Sequence, residues 1–196
     1  MEKLPELEQV YFERGKKLEE DLLLAMDGKI PDVNTIAGKW AMAIRADQRV
    51  QKLFEAGYLS YQQWFKMTKT GIVVEIDQRE VEDDYAYIGY TDFVTPKYVV
   101  DIKSSEGWWT ETSVKNAKRQ AKMYKFFTGK DIVFVVLNKK NMQVQVIDVS
   151  IESVEDLHAK AYEFRVARQE KMFFPIPWWY CKICPFQEVC KKDRFE

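Results

Sequence analysis

Hydrophobic residues recur at two different spacings along the chain, and these spacings predict an α/β fold. Helical spacing predicts helices over residues 7–26, 35–56, 110–128 and from 151 to about 171. Alternating or continuous apolar segments predict strands over residues 58–76, 85–94, 98–103, 131–137 and 142–149. Glycines at positions 28, 57 and 129 end the first three helices. Elements in this order predict a central mixed β-sheet flanked by helices.

The segment GYTDFVTPKYVVDIKS predicts a β-hairpin that carries two carboxylates and one lysine on a single face. Because alternate residues of a strand share a face, Asp101 and Lys103 point the same way. A turn centred between Pro96 and Lys97 places Asp92 directly opposite Asp101, with Cβ atoms about 4.5–5.5 Å apart. Two carboxylates at that distance repel each other, and a bound cation is one way to relieve the repulsion.

Two alternatives stay open for this hairpin. Proline fits the tight primed turns poorly, and a slip of one residue would turn Asp101 to the opposite face. An acidic pair is also typical of a solvated strand surface, on which the lysine is simply an ion-pair partner. Features outside the hairpin are needed to distinguish a metal site from a solvated surface.

Further candidate side chains lie on the predicted helices. Gln120 and Tyr124 are four residues apart, so they share a helix face and can reach the hairpin from the helix that follows it. Both can hydrogen-bond a phosphate without adding charge, although Tyr124 is equally typical of a core tyrosine. Glu19 borders the apolar stripe of the first helix and would add a third oxygen ligand; Glu20 and Asp21 are its rivals.

The distribution of charge is more informative than its total. The chain has 196 residues and a net charge of −1, and its 46% hydrophobic content fits one folded domain over residues 1–196. Residues 103–140 hold nine basic and three acidic side chains, whereas residues 75–92 hold seven acidic side chains and one arginine. An acidic pocket beside a basic face is expected of an enzyme that holds and cuts a polyanion. Any single lysine is still more typical of an ordinary solvated surface.

Nothing in the chain predicts export or membrane insertion. The start, MEKLPELEQV, lacks the apolar region of a secretory signal, and no apolar stretch is long enough to span a bilayer. Three cysteines, all close to the C-terminus, do not form the pattern of a disulfide scaffold. A cytoplasmic protein without membrane contact is expected.

These motifs together resemble one nuclease family. Glu19, the GYTDF segment with Asp92, the DIK segment and the QAKMY segment follow one another in the order found in RecB-like PD-(D/E)XK nucleases. That branch includes nuclease domains of recombination helicase-nucleases, CRISPR-associated exonucleases and phage exonucleases. DxK alone is a weak motif, but the upstream GxxD and the downstream QxxxY make the resemblance considerably more specific.

The resemblance implies a restriction-endonuclease-like core and a role for each matched residue. Asp92, Asp101, the backbone carbonyl of Ile102 and Glu19 would bind Mg²⁺ or Mn²⁺. Lys103 would orient the attacking water, help to lower its pKa and stabilise charge on the phosphate. Gln120 and Tyr124 would position DNA. The proline after which the superfamily is named is replaced by Thr91, as is common in this branch.

Basic and aromatic residues near the DIK segment are candidates for further DNA contacts. Lys115 and Arg119 belong to the basic helix that carries Gln120 and Tyr124. Trp108 and Trp109 follow the DIK strand and would either stack on bases or pack in the core.

The tail over residues 172–196 holds Cys181, Cys184 and Cys190 in a CxxC-x5-C arrangement. Many RecB-like nucleases hold an iron–sulfur cluster with such a trio and a fourth cysteine before the first helix, which this chain lacks. Three options stay open: a cluster with an outside ligand, a Zn²⁺ site that uses His158, or thiols that only pack. The tail also carries Trp178 and Trp179, for which core packing is expected.

The expected function is that of a divalent-metal-dependent DNA exonuclease in recombination, repair or viral DNA processing. The alternative is a non-catalytic or partner-dependent module that uses the nuclease fold to bind DNA or to assemble with a recombination or repair protein. The sequence does not fix polarity, strand preference or oligomeric state.

Overall fold

The computed structural model describes residues 6–68 and 86–170, and its centre is a five-stranded mixed sheet. The chain divides into two compact units, Met1–His158 and Ala159–Glu196, and the sheet belongs to the first. Its strands run in chain order across the sheet, and only β3 and β4 are parallel. The strands are β1 Ser60–Thr68, β2 Ala86–Val94, β3 Tyr98–Ser105, β4 Asp131–Asn138 and β5 Val144–Val149.

Five helices accompany these strands, and their positions confirm the predicted α/β class with a central mixed sheet flanked by helices. The helices are α1 Glu6–Met26, α2 Ile36–Ala46, α3 Gln48–Leu53, α4 Glu111–Thr128 and α5 Glu155–Gln169. None of the helices within the two described ranges is both long and apolar enough to cross a membrane.

The hydrophobic core lies between the sheet and the pair α1 and α2. Leu22, Ala41 and Ile44 are fully buried there against Val100 and Val133 of the two parallel strands. All residues of β4 after Asp131 are buried, as its continuous apolar run predicts for a central strand. Helix α4 packs against β2 and β4.

Local capping interactions set the limits of α4, the helix that follows the DIK strand. The side chain of Thr110 accepts the backbone N–H of Ser113, and the side chain of Ser113 accepts the backbone N–H of Thr110. At the other end Gly129 has a φ of 69°, and its N–H donates to the carbonyl of Lys125. The predicted helix and its C-terminal glycine are confirmed.

The predicted second helix over residues 35–56 was wrong as a single element. The helical conformation is interrupted at Asp47, whose backbone is extended with φ −72° and ψ 121°. The Asp47 carboxylate accepts the N–H of Arg49 at 2.8 Å and so caps a separate short helix, α3. An aspartate in a helical pattern competes for backbone hydrogen bonds in this way.

Smaller differences concern the ends of other elements. Helix α5 begins at Glu155 rather than at residue 151, and β5 begins at Val144 because Met142 has a left-handed φ of 60° in the turn before it. Strand β1 covers residues 60–68 of the predicted segment 58–76, and residues 69–76 lie outside the described ranges.

Two helical glycines provide a test of this packing. A Cβ atom on Gly38 would lie 2.1 Å from the backbone oxygen of Asp32, whereas one on Gly15 would meet nothing within 4 Å. We expect Gly38→Ala to lower the free energy of unfolding by about 1–3 kcal/mol. We expect Gly15→Ala to raise it by about 0.5–1 kcal/mol, because alanine is the better helix former. Urea denaturation measures both changes. If the two substitutions changed the free energy of unfolding in the same direction, the contact assigned to Gly38 would be contradicted.

Candidate active site

The two strands of the predicted hairpin separate at Asp92, and this separation creates the candidate site. Strands β2 and β3 are paired at Phe93 with Val100 and at Val94 with Val99, which is the register predicted from a turn between Pro96 and Lys97. Beyond these pairs the ladder stops, and Oδ2 of Asp92 accepts the backbone N–H of Ile102 at 2.7 Å. A carboxylate therefore replaces the next backbone hydrogen bond between the strands.

Asp101 is completely buried and is held by three side chains. Its Oδ1 accepts the hydroxyl of Tyr124 at 2.7 Å and the amide of Gln120 at 3.3 Å. Its Oδ2 lies 2.6 Å from Nζ of Lys103 but makes no hydrogen bond of normal geometry with any described residue. The structure thus brings Asp92, Asp101 and Lys103 together with Gln120 and Tyr124 of α4, as the sequence suggested.

Helix α4 delivers its two polar side chains as a connected pair. The amide of Gln120 donates to the hydroxyl of Tyr124 at 2.5 Å, across one helical turn. Tyr124 is buried, with only 4% of its surface exposed, so it is both a core residue and a partner of Asp101. The two interpretations of Tyr124 are therefore compatible.

Burial and like charges raise the pKa of Asp92 well above its ordinary value. Loss of solvation is the largest cause, and the charges of Asp101 and Glu19 add to it. The charge of Lys103 and the N–H of Ile102 act in the opposite direction without cancelling the rise. The described neighbours of Asp92 therefore offset only part of the cost of burying its charge beside two other carboxylates.

Lys103 remains a cation in this environment. Burial alone would lower the pKa of its ammonium, but the charges of Asp101 and Asp92 outweigh burial and raise the pKa. Burial and the neighbouring carboxylates Asp101 and Asp92 also raise the pKa of the Tyr124 hydroxyl, which stays a neutral donor. Neither group is a base at neutral pH.

Glu19 reaches the same region from α1. Burial raises the pKa of this carboxyl, while a hydrogen bond from Gln62 and the charge of Lys103 lower it in part. Its rivals take other places: Glu20 is exposed, and Asp21 is buried in an ion pair of 2.8 Å with Lys17. Of the three acids, Glu19 is the one that lines the cavity.

Gln62 is a site residue that the sequence did not reveal. It lies in β1 opposite Asp92, where the ladder between β1 and β2 skips one pair, and its φ of 46° is left-handed. Its amide donates to Oε2 of Glu19 at 2.9 Å. Non-glycine residues seldom adopt this conformation, and it is often retained at functional sites. The segment YQQWF contains no signal for it.

An open cavity of about 640 Å³ gives access to the site. Its lining residues come from α1, β1, β2 and α4: Gly15, Lys16, Glu19, Gln62, Tyr90, Asp92, Gln120 and Tyr124. Asp101 and Lys103 are not part of the lining, whereas Gln120 and Tyr124, which donate hydrogen bonds to Asp101, are. Gly15, Lys16 and Tyr90 were also missed in the sequence.

Other predicted contact residues lie away from this lining. Lys115 and Arg119 are exposed on α4, and Trp108 has 48% of its surface exposed in the loop before it. Trp109 packs against Phe134 with ring centroids 5.4 Å apart, which is the core alternative for that residue.

Several basic residues of the 103–140 segment are engaged in ion pairs. Besides Lys103, the segment contributes the pairs Lys122–Asp156, Lys125–Asp131 and Lys139–Glu106. Two of these acids, Glu106 and Asp131, belong to the same segment, and Asp156 comes from outside it and further balances the basic excess.

The predicted second metal site falls largely on residues that are not described. Cys181, Cys184 and Cys190, and also Trp178 and Trp179, lie outside the described residues. The Nδ1 atom of His158 lies 2.8 Å from the hydroxyl of Tyr87. Within residues 6–68 and 86–170, no three His, Cys, Asp or Glu side chains form a group that could hold a metal ion.

Comparisons with known proteins give the fold alone. No family model and no curated protein matches the sequence. The crystal structure named "Putative exonuclease" from Eubacterium rectale is similar, with a TM-score of 0.53 and 14% identity over 100% of this chain and 77% of that chain. A second solved structure, SSO0001, covers 92% of this chain and 95% of its own, with a TM-score of 0.45 and 16% identity. The first supports the α/β fold described above.

The raised pKa of Asp92 leads to a test of stability. The raised pKa means that the Asp92 carboxyl holds its proton more tightly in the folded protein than in the unfolded chain. Asp92 therefore lowers the free energy of unfolding as pH rises from the ordinary pKa of an aspartate through the raised pKa. We expect Asp92→Asn to stabilise the metal-free protein by about 0.5–2 kcal/mol at neutral pH. The gain should shrink as pH falls toward and below about pH 4, because the carboxyl of the unfolded chain then becomes protonated as well.

Thermal unfolding in EDTA at several pH values measures this difference. Asp148→Asn is the matched control, because Asp148 is an exposed carboxylate on β5 and should change little. A loss of stability in Asp92→Asn at neutral pH would show that the carboxylate supports the fold.

Proposed function

We propose that this chain is a divalent-metal-dependent deoxyribonuclease of the RecB-like PD-(D/E)XK type. The observation that carries the proposal is the meeting of Asp92, Asp101 and Lys103 where β2 and β3 separate. Gln120 and Tyr124 of α4 join them in the order of the family motifs. The name of the similar Eubacterium rectale structure, which covers the whole chain, adds weaker support.

We propose that Asp92 and Asp101 bind a hard divalent cation, which would have to draw Glu19 in as it binds, because the described residues contain no ready group of three acids placed to hold an ion. Oδ2 of Asp101 is buried beside Nζ of Lys103 but makes no hydrogen bond of normal geometry with any described residue, and burial together with the charges of Asp101 and Glu19 raises the pKa of Asp92. Mg²⁺ and Mn²⁺ prefer oxygen ligands of this kind. Asp92, Asp101, the carbonyl of Ile102 and Glu19 would hold the ion. When bound, it would supply the charge that polarises a phosphate and lowers the pKa of a water molecule.

The protein side chains have distinct roles in this proposal. Lys103 stabilises negative charge on the phosphate, since the charges of Asp101 and Asp92 raise the pKa of its ammonium despite burial. Tyr124 and Gln120 fix the orientation of Asp101 through Oδ1. Gln62 holds the carboxylate of Glu19 toward the cavity. Each of these groups is oriented by a neighbour before substrate arrives.

The substrate that we propose is DNA, attacked from an end, as in exonucleases of recombination, repair or viral DNA processing. Lys115, Arg119 and Trp108 are exposed near α4 and would contact the strand outside the cavity. A protein that binds DNA without cleaving it would instead fit the alternative of a non-catalytic or partner-dependent module.

Lys103→Ala and Asp101→Ala test the catalytic proposal. We expect each to reduce Mg²⁺- or Mn²⁺-dependent cleavage of linear DNA by at least about a hundredfold, because groups that stabilise transition-state charge contribute on this scale. Binding of DNA should be largely retained. Lys97→Ala, in the exposed turn between β2 and β3, should cleave like the unmodified protein.

Gel assays with linear and circular DNA, single- and double-stranded, give the readout. Degradation of linear substrates alone would mark an exonuclease. Undiminished cleavage by Lys103→Ala would reject the site.

Metal binding can be measured without any reaction. We expect Mn²⁺ at about a hundred times its dissociation constant to stabilise the protein by about 2.7 kcal/mol. For a chain of this size that corresponds to a rise in melting temperature of roughly 5–11 °C. Asp101→Asn should remove most of this rise, whereas Asp148→Asn should keep it. An equal rise in all three proteins would place the ion elsewhere.

A further inference from the structure

Gly15 occupies an unexpected position in α1. It lies inside a helix of 21 residues, where glycine is unfavourable because it loses more conformational freedom than other residues. Its backbone does not need glycine, since no left-handed φ occurs there, and no neighbouring atom would touch a Cβ within 4 Å. Neither backbone conformation nor packing within the described protein explains the glycine.

The cavity offers an explanation. Gly15 lines it together with Glu19, Gln120 and Tyr124, so the missing side chain leaves a bare patch of helix backbone beside the candidate site. Glycine commonly occurs where a ligand approaches the backbone closely. The space in front of Gly15 is therefore of the kind that a ligand uses.

The charge of Lys16 indicates that this ligand is an anion. It is exposed and lines the same cavity, and it has no hydrogen bond or ion pair with any residue in the described ranges. Lys17, the next residue, is instead paired with Asp21 at 2.8 Å. An unpaired ammonium at the opening of a cavity that also contains Glu19 and Asp92 favours an anion that would otherwise be repelled.

We propose that a backbone phosphate of the nucleic acid lies over Gly15 and pairs with Lys16. This inference rests on the proposed nuclease function and extends it, because it identifies where α1 contacts the strand. The bare helix surface lets the sugar-phosphate backbone approach, and the lysine neutralises one phosphate. The same contact holds the strand beside Gln120 and Tyr124.

Salt dependence of binding tests the contact made by Lys16. Fluorescence anisotropy of a short fluorescein-labelled oligodeoxynucleotide, in EDTA, gives the affinity at several salt concentrations. The slope of log affinity against log salt is negative, and for Lys16→Ala its magnitude should fall by about 0.9 with a duplex or about 0.7 with a single strand. Lys16→Arg should restore it. Lys39→Ala, an exposed lysine of α2 away from the cavity, should keep the unmodified slope.

Substitutions of Gly15 test the close approach. Gly15→Ala should weaken binding while it raises the melting temperature, and Gly15→Leu should weaken binding further without unfolding the protein. If Gly15 had a purely structural role, Gly15→Ala would not both stabilise the protein and weaken its binding of the oligonucleotide. Wild-type affinity in Gly15→Leu, or an unchanged salt slope in Lys16→Ala, would overturn the proposal, as would an unmodified protein that does not bind the oligonucleotide.

Parallel cleavage assays separate this inference from the nuclease proposal. If the unmodified protein cleaves DNA, and the Lys16 and Gly15 variants bind the oligonucleotide as it does, the phosphate contact is rejected and the nuclease proposal is retained. If the variants show the expected changes in binding, but the unmodified protein does not cleave DNA in Mg²⁺ or Mn²⁺, the phosphate contact is retained and the nuclease proposal is rejected.

Discussion

The burial of Asp101 is the constraint on which the arrangement of the site depends. A carboxylate with no exposed surface needs partners, because an isolated buried charge is very unfavourable. Tyr124 and Gln120 supply hydrogen bonds from α4, and Lys103 supplies the opposite charge from the same strand. These contacts attach α4 to β3 at the position where β2 turns away. The fold and the candidate site are therefore determined by the same interactions.

Three unfavourable features lie at Asp92 or directly beside it in the sheet. Gln62 has a left-handed backbone, the pKa of Asp92 is raised, and the buried Oγ1 of Thr91 has no hydrogen-bond partner in the described part of the chain. Such features also occur at other places, for example the left-handed Met142 and the buried Nε1 of Trp64, which has no hydrogen-bond partner among the described residues, whereas the capped ends of α4 and the apolar strand β4 satisfy the local rules. Natural proteins tolerate such violations where function requires them. Gln62 and Asp92 both line the cavity, and their unfavourable features therefore support a site there.

Sequence reasoning was most successful where side-chain periodicity determines structure. The turn between Pro96 and Lys97 fixed which residues oppose each other, so the shared face of Asp92 and Asp101 followed from the alternation of strand residues. The four-residue spacing of Gln120 and Tyr124 likewise placed both on one side of α4. The hydrogen bond from Ile102 to Asp92 did not follow, because it replaces a ladder pair that periodicity would extend.

Other features depend on contacts between distant segments and could not be predicted. Gln62 is recognisable only by its backbone conformation and its contact with Glu19, 43 positions away. Gly15 looks like any helical glycine until the cavity in front of it is known. The break at Asp47 had a local signal, an aspartate that caps the next helix, but the apolar spacing continued through it and favoured one long helix.

The balance of charge distinguishes a catalytic arrangement from a structural ion pair. A buried structural pair is commonly replaceable by apolar residues without loss of stability, so stability alone gives little reason to keep one. Among the described residues, Glu19, Asp92 and Asp101 share one buried cation, Lys103, and the repulsion between the carboxylates adds to the burial that raises the pKa of Asp92. A purely structural network would be expected to balance its charges, as the exposed pair Lys125–Asp131 does. The surplus of negative charge beside an open cavity is instead what a site that recruits a further cation requires.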